Sequence, residues 1–199
     1  QDSSSAASDV YKRQILCVPA YEAANFFASH QLSEKLQEIS YSPIISITLF
    51  VEQKNLPKFK AGFGCLIPRN ENYTILGVLF NHCIFDKRVT NEKIASLTCI
   101  VRDFDNSLLK KTDKALLNIV RHDLKRLFSL QNDFLEHQIY RWPKGIPLYS
   151  PALQTTHFEL QEMLEKDFPN IRLFGNYTGQ ISVRKMCQEA AKIGRYLAE

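Results

Sequence analysis

Ile171-Arg172-Leu173-Phe174-Gly175-Asn176-Tyr177-Thr178-Gly179-Gln180-Ile181-Ser182 is the stretch on which the fold turns. A short strand, Ile171 to Phe174, runs into a turn holding two glycines. Apolar positions Val183, Met186, Cys187, Ala190, Gly194 and Leu197 then recur at helical spacing. Ser182 is placed to be the N-cap of that helix. Free backbone N–H groups and the positive end of the helix dipole converge beside Gly175 and Gly179. A phosphate, a carboxylate or an anionic ring can approach closely there. The same pattern also serves a plain strand-to-helix connection that needs glycines for tightness, and the residues alone leave both readings open.

Just upstream, Leu160, Met163 and Leu164 mark a helix halted by Pro169, which completes an α-β-turn-α unit. One such piece cannot make a doubly wound sheet by itself, so part of the layered region upstream is expected to be missing. At the other end, the apolar run Ile15-Leu16-Cys17-Val18 stops at Pro19 and is followed by a helical stretch with Tyr21, Ala24, Phe27 and Leu32. Between these ends the period is two. Ile45, Ile47, Leu49 and Val51 alternate with Ser46, Thr48 and Phe50, which predicts a half-buried strand. Gly62 to Ile67 and Ile75 to Phe80 flank a turn-like Pro68 to Asn72, and Leu97 to Val101 adds another segment, so an antiparallel sheet is expected. From Thr112 to Leu130 the period becomes helical, with Leu116, Val120, Leu124 and Leu127 on one face. The basic residues of that helix suit either an ordinary solvated face or an anionic membrane surface. His137 to Tyr149 reads as a strand end leading into a rigid loop.

The 199 residues are 45% hydrophobic and 11% aromatic, enough for a sizeable core, which excludes a disordered tail or a disulfide miniprotein. A net charge of +4, scattered along the chain, is too weak for a phosphate-reading surface, so nucleic acid is not the expected partner. The five cysteines, Cys17, Cys65, Cys83, Cys99 and Cys187, include no C-x-x-C pair, which favours a reducing, cytoplasmic setting over a disulfide framework or a zinc site. No apolar run reaches the ~18 residues of a membrane span. The Ser/Ala-rich residues 1–14 read as a tail outside the fold.

Rival chemistries find little support. Gly62-Phe63-Gly64-Cys65-Leu66-Ile67 opens like a dinucleotide fingerprint, but it lacks the third glycine and meets Pro68 where a helix should start. There is no G-x-S-x-G elbow, no H-E-x-x-H motif and no G-K-[ST] loop, and His30, His82, His122, His137 and His157 are dispersed. No metal site and no side-chain catalytic dyad are expected. Trp142 beside Pro143 is either a core anchor or an aromatic wall for a planar ligand.

In chain order, Ile15-Leu16-Cys17-Val18-Pro19-Ala20-Tyr21, Tyr41-Ser42-Pro43, Gly62 to Arg69, Ile75-Leu76-Gly77-Val78-Leu79-Phe80, Phe85-Asp86-Lys87-Arg88, Trp142-Pro143-Lys144-Gly145-Ile146-Pro147-Leu148-Tyr149 and Gly175 to Ile181 form a series. It resembles the C-terminal half of the protoporphyrinogen oxidases, flavoproteins of the amine-oxidase-like superfamily. The resemblance implies an α+β or α/β chain. An antiparallel substrate-domain sheet with helices would be joined to the C-terminal strand-turn-helix of an FAD-binding Rossmann-like domain, whose N-terminal nucleotide-binding part is absent. The implied divisions are 15–40 near the FAD domain, 41–141 for substrate binding and 142–199 for the end of the FAD domain.

The resemblance also implies the site. Val18 would pass near the nucleotide, and Trp142, Ile146, Pro147 and Tyr149 would sit near the isoalloxazine. Gly175, Asn176, Tyr177, Thr178, Gly179, Ile181 and Ser182 would wrap the flavin. A helix N-terminus there suits a ring that gains negative charge on reduction. Gly64, Leu66 and Ile100 would roof an apolar pocket for a tetrapyrrole, with Arg69 or Arg102 as its basic rim. The implied reaction is FAD-dependent oxidation of protoporphyrinogen or coproporphyrinogen to the porphyrin in heme biosynthesis. Hydride transfers would proceed in succession, oxygen would be the acceptor, and no side-chain acid or base is demanded. A homodimer and peripheral membrane contact stay open.

The chain departs from the family's pattern at three places. Leu148 stands where Gln is usual and is followed by Pro151-Ala152-Leu153 instead of Gly-His; Arg102-Asp103 replaces a glycine pair; Gln180 replaces Gly or Val. Two other readings therefore remain, namely a related superfamily flavoprotein acting on amines or polyenes, and a non-catalytic domain that binds a porphyrin or a partner.

Overall fold

The structure is a computed structural model that describes residues 13–56, 62–84, 87–103, 106–130 and 133–198. In chain order its elements are β1 (Gln14–Leu16), α1 (Ala20–Ala23), α2 (Gln31–Gln37), β2 (Tyr41–Glu52), β3 (Gly64–Leu66), β4 (Ile75–Phe80), α3 (Asn81–Ile84), β5 (Ile94–Arg102), α4 (Asp113–Phe128), β6 (Glu136–Pro147), α5 (Pro151–Asp167), β7 (Ile171–Leu173) and α6 (Val183–Ala198). The described residues of Gln1–Tyr41 and Ile146–Glu199 form one compact unit, and those of Ser42–Gly145 form another. The mixed α and β architecture with an antiparallel sheet agrees with the expected fold class. Residues 1–12 of the expected tail, and Phe85 and Asp86 of the family-like series, lie outside the described residues.

The unit of Ser42–Gly145 is built on a five-stranded sheet in the order β3-β4-β5-β2-β6. Strand β2 pairs antiparallel with the whole of β5, Ile44 opposite Arg102 through to Glu52 opposite Ile94. The side-chain period of two then divides the residues cleanly. Ile45, Ile47, Leu49 and Val51 join Ala95, Leu97, Cys99 and Val101 on the buried face, against Leu116, Val120, Leu124 and Phe128 of α4. Helix α4 has a defined start and stop. Thr112 Oγ1 accepts from the Ala115 N–H at 3.3 Å, and Ser129 ends the helix in the left-handed conformation at φ 56°.

One polar residue sits inside that apolar stripe. Asp123 is buried, and its Oδ2 accepts the N–H groups of Thr74 at 2.8 Å and Ile75 at 3.1 Å. The carboxylate thereby pins the start of β4 to the middle of α4. Strand β4 carries a bulge: Ile75 opposes Val101 while Gly77 opposes Ile100, which leaves Leu76 as the extra residue.

One expectation changes at β6. The segment from His137 is a long strand and not a strand end, and Pro143 lies inside it. Strand β6 is at the sheet's edge, where a proline removes no ladder donor that a neighbour needs. The helical stretch after Pro19 is likewise broken into α1, a 3₁₀ turn at Ala24–Phe27 and α2. His30 makes the break by serving as the N-cap of α2. Its Nδ1 accepts from the Leu32 N–H at 3.1 Å, and its Nε2 lies 3.2 Å from Asp167 Oδ2.

In the unit of Gln1–Tyr41 and Ile146–Glu199, β1 and β7 form a parallel pair, with Leu16 opposite Leu173. Its core holds Ala20, Ala23, Phe27, Leu32 and Leu36 against Leu160, Leu164 and Tyr177. The Tyr177 ring is 1% exposed and its hydroxyl finds no partner among the described residues. Burial, reinforced by the neighbouring Tyr41 and Cys17, pushes that phenol well above its ordinary value of 10.0.

Two stability measurements test these assignments. Asp123→Ala leaves two backbone N–H groups without acceptors and is expected to cost about 3 kcal/mol in urea unfolding; a cost below about 1 kcal/mol would contradict the anchoring role. Tyr177→Phe removes a hydroxyl that bonds to nothing, so it is expected to leave stability unchanged or raise it by up to ~1 kcal/mol. Because the folded-state phenol titrates above its unfolded value, the unfolded chain sheds its proton first, and stability falls as pH rises past 10.0. The Phe variant should show less of that alkaline loss in thermal unfolding.

Candidate functional site

Two surfaces gather the candidate residues, one in each unit. In the unit with the parallel pair, β1 and β7 run the same way, so the loops leaving their carboxyl ends lie side by side, and the Phe174 N–H donates to the Leu16 carbonyl at 3.0 Å. Ligands in parallel α/β sheets bind at that end of the strands. One loop carries Cys17, Val18 and Pro19; the other carries Gly175 to Ser182.

The second loop is held by short-range bonds. Thr178 Oγ1 donates to the Gly175 carbonyl at 2.8 Å, and the Thr178 N–H donates to the same oxygen at 3.1 Å. Gly175 is required by contact, since a Cβ there would stand 2.9 Å from Tyr177 Cε1. Gly179 is required by conformation: its φ is 89°, and among the described residues no heavy atom lies within 4 Å of where its Cβ would be. Ser182 is the N-cap as expected, with Oγ accepting the Lys185 N–H at 3.2 Å and its carbonyl accepting the Met186 N–H at 2.9 Å. The start of α6 is open, with Ile181 63% and Val183 77% exposed.

Tyr149 reaches this loop, its hydroxyl donating to the Asn176 carbonyl at 3.2 Å, and burial raises its phenol above the ordinary value. Ile146 and Tyr149 are exposed, whereas Pro147 is buried and Val18 is half-buried against the core. Tyr177 and Thr178 turn their side chains inward, so a ligand at this loop would meet their backbone. Between α5, β7 and α6 a cavity of about 130 Å³ is lined by His157, Leu164, Ile171, Gln180 and Ile193 among others. That is below the ~300–1,000 Å³ of typical ligand pockets.

The other surface is the second face of the five-stranded sheet, opposite α4. Register places Leu66 opposite Gly77, Gly77 opposite Ile100, and Ile100 opposite Ser46, one row across four strands. A parallel row runs Gly64, Leu79, Thr98, Thr48. The candidates Gly64, Leu66 and Ile100 thus share one face, and Leu66 is 89% exposed. The close approach of β3 to β4 depends on glycine. A Cβ on Gly64, whose φ is 149°, would stand 2.1 Å from the Val78 carbonyl oxygen, and one on Gly77 would stand 2.7 Å from the Cys65 carbonyl oxygen.

On β6, Ile139 packs on the core, so alternation puts Tyr140 and Trp142 on the open side, where Trp142 is 55% exposed. Arg102 ends β5 two residues beyond Ile100 and opposite Ile44, on the same face, while Arg69 opens the 3₁₀ turn after β3. Sequence reading missed Leu79, Thr48, Thr98 and Asn81 here. The signal for Thr48 and Thr98 was the alternation itself, which assigns the small and hydroxyl-bearing residues of β2 and β5 to the face away from α4; Leu79 on β4 and Asn81 in α3 join them through register and the fold. Among the described residues no group of His, Cys, Asp and Glu could hold a metal ion, and no helix is long and apolar enough to cross a membrane.

Comparison with known proteins bears on both surfaces. The chain is 30% identical over 161 residues to protoporphyrinogen oxidase 2 of Arabidopsis thaliana, covering 79% of this chain and 31% of that protein. It is 20% identical over 161 residues to the coproporphyrinogen III oxidase of Bacillus subtilis, covering 81% of this chain and 34% of that protein. The chain therefore spans about a third of the length of these relatives. Among solved structures, a protein from Exiguobacterium sp. 255-15 provisionally assigned as a protoporphyrinogen oxidase superposes with a TM-score of 0.67 at 18% identity, covering 83% of this chain and 36% of that one. Reduced UDP-galactopyranose mutase gives 0.68 at 16% identity, covering 84% and 37%. The pattern of flavin-containing amine oxidoreductases matches residues 2–184. With an open helix start beside two loops at the carboxyl ends of parallel strands, and a family whose members carry a flavin, the chain belongs to the flavin-containing amine oxidoreductases.

Proposed function

We propose that this chain supplies the substrate-facing sheet and the ring-facing loop of an FAD-dependent oxidase that converts protoporphyrinogen or coproporphyrinogen to the porphyrin in heme biosynthesis, with oxygen as acceptor. The observation that carries this reading is the row Leu66, Gly77, Ile100, Ser46 on a sheet face that α4 does not cover. A tetrapyrrole is broad and greasy, and it carries carboxylates at its edge. Gly77 keeps the row low between Leu66 and Ile100, so a broad ring can lie across four strands. Of the two candidate rim arginines, register favours Arg102, which shares the face with Ile100.

A bound flavin would supply the redox chemistry, as a two-electron acceptor that oxygen can reoxidise. The residues of this chain bind and orient. Gly179 leaves the approach to a ring clear, and the N–H groups at the start of α6, next to Ser182, offer donors and a positive dipole to a ring edge that gains charge. Val18 and Tyr149 border that loop from the neighbouring strand end and through the bond to Asn176. A reducing, cytoplasmic setting is part of the same proposal.

The natural full-length protein, purified, is expected to show flavin absorbance that bleaches when a porphyrinogen is added without air, and to release a fluorescent porphyrin when air is admitted. Leu66→Asp and Ile100→Asp, each placing a charge on the open face, should raise KM for the porphyrinogen about tenfold or more while leaving the flavin band intact. A colourless protein, or variants with unchanged KM, would refute the reading.

A further inference from the structure

The middle of the open sheet face is polar, in a way that an apolar slot does not need. Asn81, at the start of α3, donates from Nδ2 to Ser96 Oγ at 3.1 Å and to Thr98 Oγ1 at 2.8 Å. Those two bonds use both amide hydrogens. Thr98 Oγ1 in turn lies 3.0 Å from Thr48 Oγ1, directly across the strand pair, and either hydroxyl can be the donor. Around this chain of bonds the face is aliphatic, with Leu79 beside Thr98 in one row and Leu66 and Ile100 in the next.

The hydrogen count decides what the network can still do. A threonine hydroxyl has one hydrogen and two lone pairs. If Thr48 donates to Thr98, both lone pairs of Thr48 Oγ1 remain open; if Thr98 donates to Thr48, one remains open. In either arrangement Thr48 keeps an open lone pair on the sheet's outer face, and the pair keeps one hydroxyl hydrogen, on Thr98 in the first case and on Thr48 in the second. Thr98 is held in place by Asn81 and cannot turn away without stranding an amide hydrogen.

We propose that the Thr48–Thr98 hydroxyl pair, held by Asn81, accepts the pyrrole N–H groups of the reduced tetrapyrrole and so makes this face prefer the porphyrinogen to the porphyrin. The inference rests on the reading of the face given under the proposed function. Every pyrrole nitrogen of a porphyrinogen carries a hydrogen, and the saturated bridges let the rings tilt so that several N–H groups point to one side. A porphyrin is flat and conjugated; half of its nitrogens carry no hydrogen, and both the remaining N–H groups and the lone pairs of the bare nitrogens lie in the ring plane, out of reach of a hydroxyl beneath it. An acceptor placed beneath the ring therefore rewards the substrate and not the product, and that preference eases release once the ring is oxidised.

Thr48→Val is the decisive change, because it removes the outward acceptor while Thr98 keeps Asn81's donation and valine suits a strand. With natural full-length protein, KM for a porphyrinogen should rise about five- to tenfold, as expected for one lost hydrogen bond, whereas the inhibition constant of the corresponding porphyrin should hold. Thr48→Ser should restore the wild-type ratio, and the thermal midpoint of all variants should match the parent. A Val variant with an unchanged ratio of porphyrinogen KM to porphyrin inhibition constant would overturn this inference while leaving the proposed function standing. Failure of the wild-type protein to bind or oxidise any porphyrinogen would overturn both.

Discussion

The ladder between β2 and β5 is the constraint on which the unit of Ser42–Gly145 depends. It pairs Ile44 with Arg102 at one end and Glu52 with Ile94 at the other, and it fixes which side of the sheet each residue faces. A slip of one position would send Ile45, Ile47 and Leu49 outward and bring Thr48 and Ser46 against α4. With the register as it is, the aliphatic residues of both strands meet Leu116, Val120 and Leu124 in a dry core, and the hydroxyl-bearing residues are left for the opposite face. Asp123 adds a second fixed point by tying the start of β4 to α4, which holds the bulge and Gly77 where they are. Core and candidate site are two consequences of one pairing.

The other unit applies the same economy to a parallel pair. Because β1 and β7 run in one direction, the two loops that follow them emerge together, and the longer one delivers the start of α6. The loop's shape comes from steric limits at two residues. The Tyr177 ring is buried so close to Gly175 that no side chain fits there, and Gly179 turns the chain in a conformation that other residues adopt only with strain. Backbone N–H groups, a capped helix start and little side-chain bulk are what an anionic planar group requires of its binding loop.

Much of this was legible in the sequence. The alternation from Ile45 to Val51, the helical period from Leu116 to Leu124 and the capping serine at Ser182 each reflect a local periodicity or cap preference, and each element formed where expected. What was not legible depended on distant partners. Pro143 argued for a loop, yet edge position makes it harmless in β6. His30 looked like any dispersed histidine until α2 supplied an N–H for it to cap. Asp123 broke an apolar stripe for the sake of backbone donors some fifty residues away in sequence. The inward turn of Tyr177 could not be read from Asn-Tyr-Thr, since nothing local says which way the ring points. Thr48 and Thr98 looked like the solvated side of a strand, and only register shows that their hydroxyls meet.

The central claim is that the sheet face opposite α4 receives a tetrapyrrole. Its most direct test is a crystal structure of the natural full-length protein with a porphyrin bound. The ring is expected to lie across Leu66, Gly77, Ile100 and Ser46, with a carboxylate toward Arg102. A ring seated anywhere else, with that row still open, would contradict the account.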